Sequence, residues 1–526
     1  MKKPNIILIQ ADQMAGPALP MYGHKVVKAP NLQKLAETGT TFKNAYSNNP
    51  VCAPSRFSMM SGQLSSRIGA FDNGSEFPAA VPTIAHYLRN LGYKTCLTGK
   101  MHFVGPDQLH GFEERLTTDI YPSDFGWTPD WSQTDFPFAP SVMSLRGVVE
   151  AGICKRSLQL DYDDEVSHTA IQKIYDFARD KDQDPFFLTV SFTHPHNPFT
   201  ITQEYWDRYE HSAIDMPSVP YIPLEERDPW SQRYYHLIRQ DEHHVSDETI
   251  LTARHAYYGM ISYVDDQVGK IIEVLETTGL SKNSVIVFTS DHGDMMGERG
   301  MWFKFNPFEW SVRVPLIISI PGGAKDHSED RGVSLIDLMP TFLDLASDGN
   351  SPEVIDPIDG NSLVGLLHNT DPDWADDVMM EFTGEGIYSP CFMLRQSGFK
   401  YVYCEDDPAM LFDLNKDPGE LNNLRGKADF QDIERSMLNT ILKRWDGESI
   451  KQQIIRSQNR RKFLQKVLLT GKRSPWDYVP YRDASKEFVR SALDTSTTMT
   501  KGLARFPYLE PVPPHTPRTK NNKKNL

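Results

Sequence analysis

The chain has 526 residues, 39% hydrophobic and 24% charged, an ordinary globular composition with length enough for a large core and a second, smaller unit. Lysine and arginine number 55 against 70 aspartates and glutamates, and the resulting net charge of −15 argues against a nucleic acid as the main partner. Five scattered cysteines with no CxxC pair exclude a disulfide framework and a cysteine-based zinc site, and favour a reducing compartment.

The first apolar run, Ile6-Ile7-Leu8-Ile9, is too short for a signal peptide or a membrane span. It reads as a buried strand over residues 5–10, stopped by Ala11-Asp12-Gln13, in a chain expected to work in the cytoplasm away from membranes. Residues 31–39 form a short amphipathic helix with a glycine stop. Cys52-Ala53-Pro54-Ser55-Arg56 follows. Ser55 is a good N-cap, so a helix beginning there would leave Cys52 just in front of its N-terminus, where anions and thiolates are favoured. That helix continues near residues 57–62. Residues 82–92 are a second, proline-led and glycine-ended helix.

A strand over residues 93–97 ends at Thr98-Gly99-Lys100-Met101-His102. Residues 105–162 lack periodicity and are rich in Pro, Asp, Trp and Gly, the texture of a pocket-forming region. A helix over 163–179 and a strand over 185–192 lead to Thr193-His194-Pro195-His196. A long helix over 246–278 precedes a strand over 284–288, which ends at Thr289-Ser290-Asp291-His292-Gly293-Asp294. A strand over 315–320 and a helix over 334–346 complete the alternation. The fold is therefore α/β with a mostly parallel sheet. Beyond about residue 370, short hairpin-like strands and a helix over 431–445 suit a small α+β unit. Basic helical turns and a Pro-rich, Lys/Asn-ended tail follow, the last dozen residues expected to be disordered. The expected domains are 1–370, 371–447 and a tail over 448–526.

Polar clusters recur after four strands: Asp12, Lys100/His102, His194/His196 and Asp291/His292. Open α/β sheets place ligands at such carboxyl ends. Asp12, Asp291 and His292 are ligand types suited to Ca²⁺ or Mg²⁺. Lys100 and His102, two apart on an extended segment, point to one face. His194 and His196 read either as a metal pair or as a general acid beside a structural histidine. Lys304, alone among large apolar side chains, either snorkels to water or points into a site. Asn73 reads as a turn residue.

Cys52-Ala53-Pro54-Ser55-Arg56, Thr98-Gly99-Lys100 and Ser290-Asp291-His292-Gly293, in that order, resemble the type I, formylglycine-dependent sulfatases over residues 5–346. The run Gly99-Lys100-Met101-His102-Phe103-Val104-Gly105-Pro106-Asp107 is similar to the choline sulfatases. So are Leu116-Thr117-Thr118-Asp119-Ile120-Tyr121-Pro122, Gly297-Glu298-Arg299-Gly300-Met301-Trp302, and Trp476-Asp477, Arg482-Asp483-Ala484-Ser485 and Ala504-Arg505-Phe506-Pro507 near the end.

The resemblance implies an alkaline-phosphatase/sulfatase-like mixed sheet sandwiched by helices, with a smaller α+β domain and an extended tail. It implies conversion of Cys52 by a maturase to formylglycine. Asp12, Asp291, His292 and the modified Cys52 would hold a divalent cation, Ca²⁺ with Mg²⁺ or Mn²⁺ as alternatives. Gln13 stands where many sulfatases carry a second Asp. Arg56 and Lys100 would neutralise the sulfate oxygens and Asn73 would donate to one of them. His194 or Lys304 would protonate the leaving alcohol, and His102 would assist release of sulfate. Trp127 and Glu385 match the family's quaternary-ammonium site. Asp494 matches an acidic tail residue that reaches a neighbouring subunit's site in a homo-oligomer, dimer or tetramer.

Two departures fall on the alcohol side. Residues 136–143 replace an aromatic/His patch of the Trp-Tyr-His type, and the acidic tail run is thinned to Leu493-Asp494-Thr495-Ser496. The implied reaction is hydrolysis of a small organic sulfate ester, foremost choline sulfate. The alternatives are another alkyl or carbohydrate sulfate, or a phosphonate or phosphate ester.

Overall fold

The computed structural model describes residues 2–132, 144–180, 184–347, 350, 352–471, 494–503, 505–506, 510 and 512–513. The departure at residues 136–143, the Trp476-Asp477 and Arg482–Ser485 motifs, Ala504 and Pro507, and the last dozen residues lie outside them.

The first strand, β1 (Asn5–Ala11), is buried along its whole length. Ile7 and Ile9 enter one apolar layer and Ile6 and Leu8 the other, as period-two side chains on a sheet covered on both faces must. After it come α1 (Pro30–Glu37), β2 (Thr40–Tyr46), α2 (Cys52–Ser61), α3 (Ile84–Asn90), β3 (Lys94–Gly99), α4 (Leu158–Arg179), β4 (Phe186–Ser191), α5 (Asp247–Thr277), β5 (Ser284–Ser290), β6 (Leu316–Ser319), β7 (His327–Ser334) and α6 (Leu338–Ser347). α1, α4 and α5 line one face of the sheet, and α2, α3 and α6 the other.

Among the described residues the sheet has nine strands, and its central order is β2-β6-β5-β1-β4-β3. β1 runs parallel to β4 and β5, and β3 parallel to β4, whereas β6 is antiparallel to both its neighbours. Register makes the parallel strands end level. Ala11 faces Ser290, Gln10 faces Ser191, and Gly99 faces Ser191. Asp12, Lys100 and Asp291 each follow immediately, so all emerge along one edge.

Among the longer strands of this sheet, β2 and β7 have no counterpart in the sequence reading, and they pair in parallel with each other. β2 spans Lys43 and Asn44, whose polar ends reach the Met21 and Asp330 carbonyls, so its apolar pattern is broken. β7 is polar because it lies off the main strand path.

The chain from 377 on forms an antiparallel meander, β8 (Asp377–Phe382), β9 (Cys391–Gln396), β10 (Phe399–Cys404) and β11 (Asp407–Asp413), backed by α7 (Gln431–Arg444). α8 (Gly447–Leu468) is a continuous 22-residue helix where only basic turns were expected. A short helix, α9 (Thr495–Leu503), follows. Among the described residues no helix is long and apolar enough to cross a membrane.

α1 has no side-chain cap of its own. Asp265, from α5, accepts the N–H groups of Asn31 (3.1 Å) and Leu32 (2.7 Å) and so caps it from a neighbour. Burial raises the Asp265 carboxyl to about 6, against those donors. A folded-state value above the ordinary 3.8 gives a contribution that is full below that value and is lost as pH rises through about 6. Asp265→Ala should lower stability by about 1–2 kcal/mol, and the gap from wild type in thermal midpoint should be wider at pH 4 than at pH 7.5.

Candidate active site

α2 does not begin at Ser55. Its first residue is Cys52, after an extended Val51, and all ten of its residues are buried. Pro54 is tolerated because first-turn N–H groups have no intrahelical acceptor to lose. The Ala53 N–H, without an intrahelical acceptor, donates to Asn73 Oδ1 at 3.0 Å, and the Ser55 hydroxyl donates to the Asp291 carbonyl. Cys52 therefore rides on the helix N-terminus itself, with Arg56 one turn further in.

Arg56 is fully buried. Its Nη2 pairs with Asp12 and its Nε with Asp291, both at 2.8 Å, and its Nη1 donates to Ser191 Oγ at 2.8 Å and to the Lys100 carbonyl. The Lys100 ammonium also pairs with Asp12 and lies 4.1 Å from the centre of the Tyr121 ring. Burial alone would raise the Asp12 carboxyl, but Lys100, His196 and Arg56 hold it well below the usual carboxylate range. Burial likewise opposes ionisation of Cys52, and Lys100, Lys304 and His292 outweigh it, holding the thiol well below its ordinary value. Position 52 is thus a place where negative charge is stabilised. The Arg56 fork is hydrogen-bonded to the two carboxylates and to the strand ends.

Asp12, Cys52, Asp291 and His292 bring one ligand atom each to within 4.8 Å of one another. His292 Nδ1 donates to the Gly293 carbonyl at 3.0 Å, and its Nε2 lies 3.1 Å from Cys52 Sγ. Asp12 Oδ1 is buried without a hydrogen-bond partner. An orphaned carboxylate oxygen among oxygen and imidazole donors fits a hard divalent cation.

Gln13 adds no donor to that set. Its amide NH₂ donates to Asp294 and to Asn197 Oδ1, and its oxygen accepts from Lys304. Lys304 is buried and also bonds His196 Nε2 at 2.8 Å, while His196 Nδ1 donates to the Asn197 carbonyl at 2.7 Å. Burial and the Lys304 charge push His196 down to about 4, so it is neutral and acts as an acceptor.

The two histidines after β4 part company. His194 Nδ1 meets Asp163 Oδ2 at 2.6 Å, and the same carboxylate takes the His194 and Thr193 N–H groups. Its ring packs on Tyr263, and it does not line the pocket, whereas His196 does. The deciding residue, Asp163, lies on α4 and carries no local signal in the sequence.

Above position 52 is a narrow cavity of about 30 Å³. Asn73 edges it, and with its oxygen held by Ala53 the group it can offer is its NH₂. Tyr121, Trp127 and Phe305 supply ring faces, and Glu385, on the loop between β8 and β9, supplies a carboxylate. His102 stands beside Cys52 in a left-handed turn (φ 58°), held by donation of its backbone N–H to Asp119 at 2.9 Å. Its ring meets Trp127 edge-on at 5.1 Å, and neither ring nitrogen has a hydrogen-bond partner. Tyr121 and Asp119 lie in the Leu116–Pro122 stretch matched by resemblance but were not picked out there as site residues, and Phe305 belongs to a non-periodic stretch with no pattern to single it out.

Asp494 does not reach the cavity. It is exposed and accepts the Thr497 N–H (3.0 Å) and hydroxyl (2.7 Å) at the start of α9. It is Met499, farther along α9, that borders the cavity.

Comparison with known proteins agrees with this arrangement. The family model described as Sulfatase matches residues 4–348, that of N-sulphoglucosamine sulphohydrolase, C-terminal, residues 297–446, and that of Choline sulfatase enzyme C terminal, residues 452–506. A choline-sulfatase of Rhizobium meliloti (strain 1021) is 44% identical over 510 residues, covering 94% of this chain and 97% of that protein. An arylsulfatase of Clostridium perfringens (strain 13 / Type A) is 28% identical over 465 residues, covering 85% and 95%. Among solved structures, the phosphonate monoester hydrolase SpPMH from Silicibacter pomeroyi superposes with a TM-score of 0.68 at 23% identity, covering 84% of this chain and 95% of that one, and shares its fold. The chain belongs to the sulfatase family, and it carries the C-terminal region described for choline sulfatases.

Proposed function

We propose that this sulfatase hydrolyses choline sulfate, using a formylglycine made from Cys52 by a maturase and a divalent cation, Ca²⁺ foremost. The observation that carries this reading is the two-ended pocket. Its floor stabilises an anion, and its other end presents the rings of Tyr121, Trp127 and Phe305 with the Glu385 carboxylate. Aromatic faces and a carboxylate are what a quaternary ammonium requires. The relative from Rhizobium meliloti, named a choline-sulfatase, supports the same choice.

Asp12, Asp291, His292 and residue 52 would hold the ion, and together the formylglycine and the ion supply a hydrated-aldehyde nucleophile and Lewis-acid neutralisation of sulfate charge. The chain's own groups do the rest. Lys100 adds positive charge beneath the sulfate site, and the Asn73 NH₂ donates to a sulfate oxygen. Arg56 holds the two carboxylates at their spacing. His102, with both ring nitrogens unengaged beside position 52, serves as the base there. Lys304, hydrogen-bonded to neutral His196, delivers the proton to the departing alcohol. His194 orients the loop that carries His196.

Cys52→Ala should abolish turnover, and mass analysis of the Cys52 peptide from active enzyme should show formylglycine. Thiol alone in active enzyme would end this reading. An alkyl alcohol is a poor leaving group, so Lys304→Met should lower kcat on choline sulfate by about 10²–10⁴-fold and on an activated aryl sulfate far less. Equal losses on both esters would remove Lys304 from the proton-donor role. Glu385→Gln should raise KM for choline sulfate about tenfold with kcat nearly unchanged, because it removes uniform binding. Steady-state kinetics that show kcat collapsing at constant KM would contradict that. Comparable wild-type rates on sugar sulfates or phosphonate esters would overturn the choline assignment.

A further inference from the structure

α8 passes the alcohol end of the pocket without touching it. One face of the helix presents Gln458, Arg461 and Lys462, the i, i+3, i+4 spacing of neighbours on a helix. Arg461 is buried, and its fork grips Asp72 through both carboxylate oxygens, at 2.6 and 2.8 Å. The same Nη1 also donates to Thr128 Oγ1 at 3.0 Å. Asp72 immediately precedes Asn73, and Thr128 immediately follows Trp127. The two loops are pressed together there: a Cβ added to Gly74 would lie 2.6 Å from the Thr128 nitrogen. Gln458 Oε1 accepts the Trp131 N–H at 2.9 Å, Lys462 pairs with Asp130 at 2.6 Å, and the Trp131 indole donates to the Gly384 carbonyl at 2.9 Å, next to Glu385.

We infer that Arg461 is a positioning residue that selects the leaving alcohol. It fixes the loop that carries Trp127, while Gln458 on the same helix face holds Trp131, whose indole holds the loop that carries Glu385. A planar bidentate fork holds a carboxylate in register as no single-point cation does. The two ends of the pocket differ in how they are secured. Asn73, toward the sulfate, has a separate anchor on the Ala53 N–H, and Asp12, Lys100 and Asp291 are set by the sheet. The Trp127 indole N–H has no hydrogen-bond partner, so the Trp127 loop is held by its Phe125–Thr128 turn, by ring packing on His102 and Tyr121, and by Arg461. Disturbing Arg461 therefore loosens the alcohol end and spares the sulfate end.

This deepens the choline-sulfate reading but is tested separately from it. Full-length, matured enzyme carrying Arg461→Met, Arg461→Lys or Thr128→Val is assayed on choline sulfate, a neutral alkyl sulfate of similar size and an aryl sulfate, with inhibition by inorganic sulfate measured alongside. Arg461→Met should lower the choline-to-neutral ratio of kcat/KM about tenfold through KM, with the sulfate inhibition constant unchanged. Arg461→Lys should recover part of the ratio. In a Trp127→Ala background, Arg461→Met should add no further change, because residues acting through one another are non-additive. An equal fall on all three esters, or full additivity with Trp127→Ala, would overturn the assignment. Should Arg461→Met fail to fold, Thr128→Val removes only the hydroxyl next to Trp127, and an unchanged ratio in that variant overturns it equally. A wild type that prefers the neutral ester defeats the choline reading alone, since a shift in the ratio between any two esters still reports on Arg461.

Discussion

The buried guanidinium of Arg56 is the constraint on which the rest of the site depends. Two carboxylates emerge from adjacent level strand ends, and without a cation between them Asp12 and Asp291 could not both stay ionised in a dry interior. A buried charge left without its partner costs several kcal/mol, so the arrangement is stable only as a set. Arg56 completes the set because α2 begins at Cys52 and not later. That same start puts position 52 at the helix N-terminus, above the carboxylates. Cys52, the two carboxylates and the cation that reconciles them are thus placed by one helix start and one strand register.

The sulfate end and the alcohol end of the pocket are made by different parts of the chain. Sheet edges and α2 make the first. The second is assembled from the irregular stretch around Tyr121 and Trp127, the β8–β9 loop and α9, with α8 running behind them. Such a division lets one hydrolytic floor serve different esters, since the loops can change without moving a strand.

The sheet edge was legible in the sequence because fully buried parallel strands write themselves as apolar runs, and polar residues directly after them have few structural reasons to be there. That logic located Asp12, Lys100 and Asp291. It could not separate His194 from His196, because the choice was made by Asp163 on a distant helix. Nor could it set the start of α2, where Ser55 is a better cap by type than Val51. There the tertiary bond from the Ser55 hydroxyl to the Asp291 carbonyl overrode local preference. Asp494, matched to an acidic tail residue by resemblance, caps the start of α9 in this chain. Tyr121, Phe305 and Met499 converge from segments with no period, and only the folded chain brings them together.

Gly99 shows how far such requirements extend. It sits at φ 101°, and a Cβ there would fall 1.9 Å from the Ser191 carbonyl oxygen, far inside any tolerable contact. Ser191 cannot retreat, because its hydroxyl is a partner of Arg56. The position therefore admits one residue type, although it has no functional group, binds nothing and moves no proton. In terms of mutational tolerance it is as closed as the residues that do the chemistry, and a scan for loss of function would score it beside them for a reason that is entirely one of space.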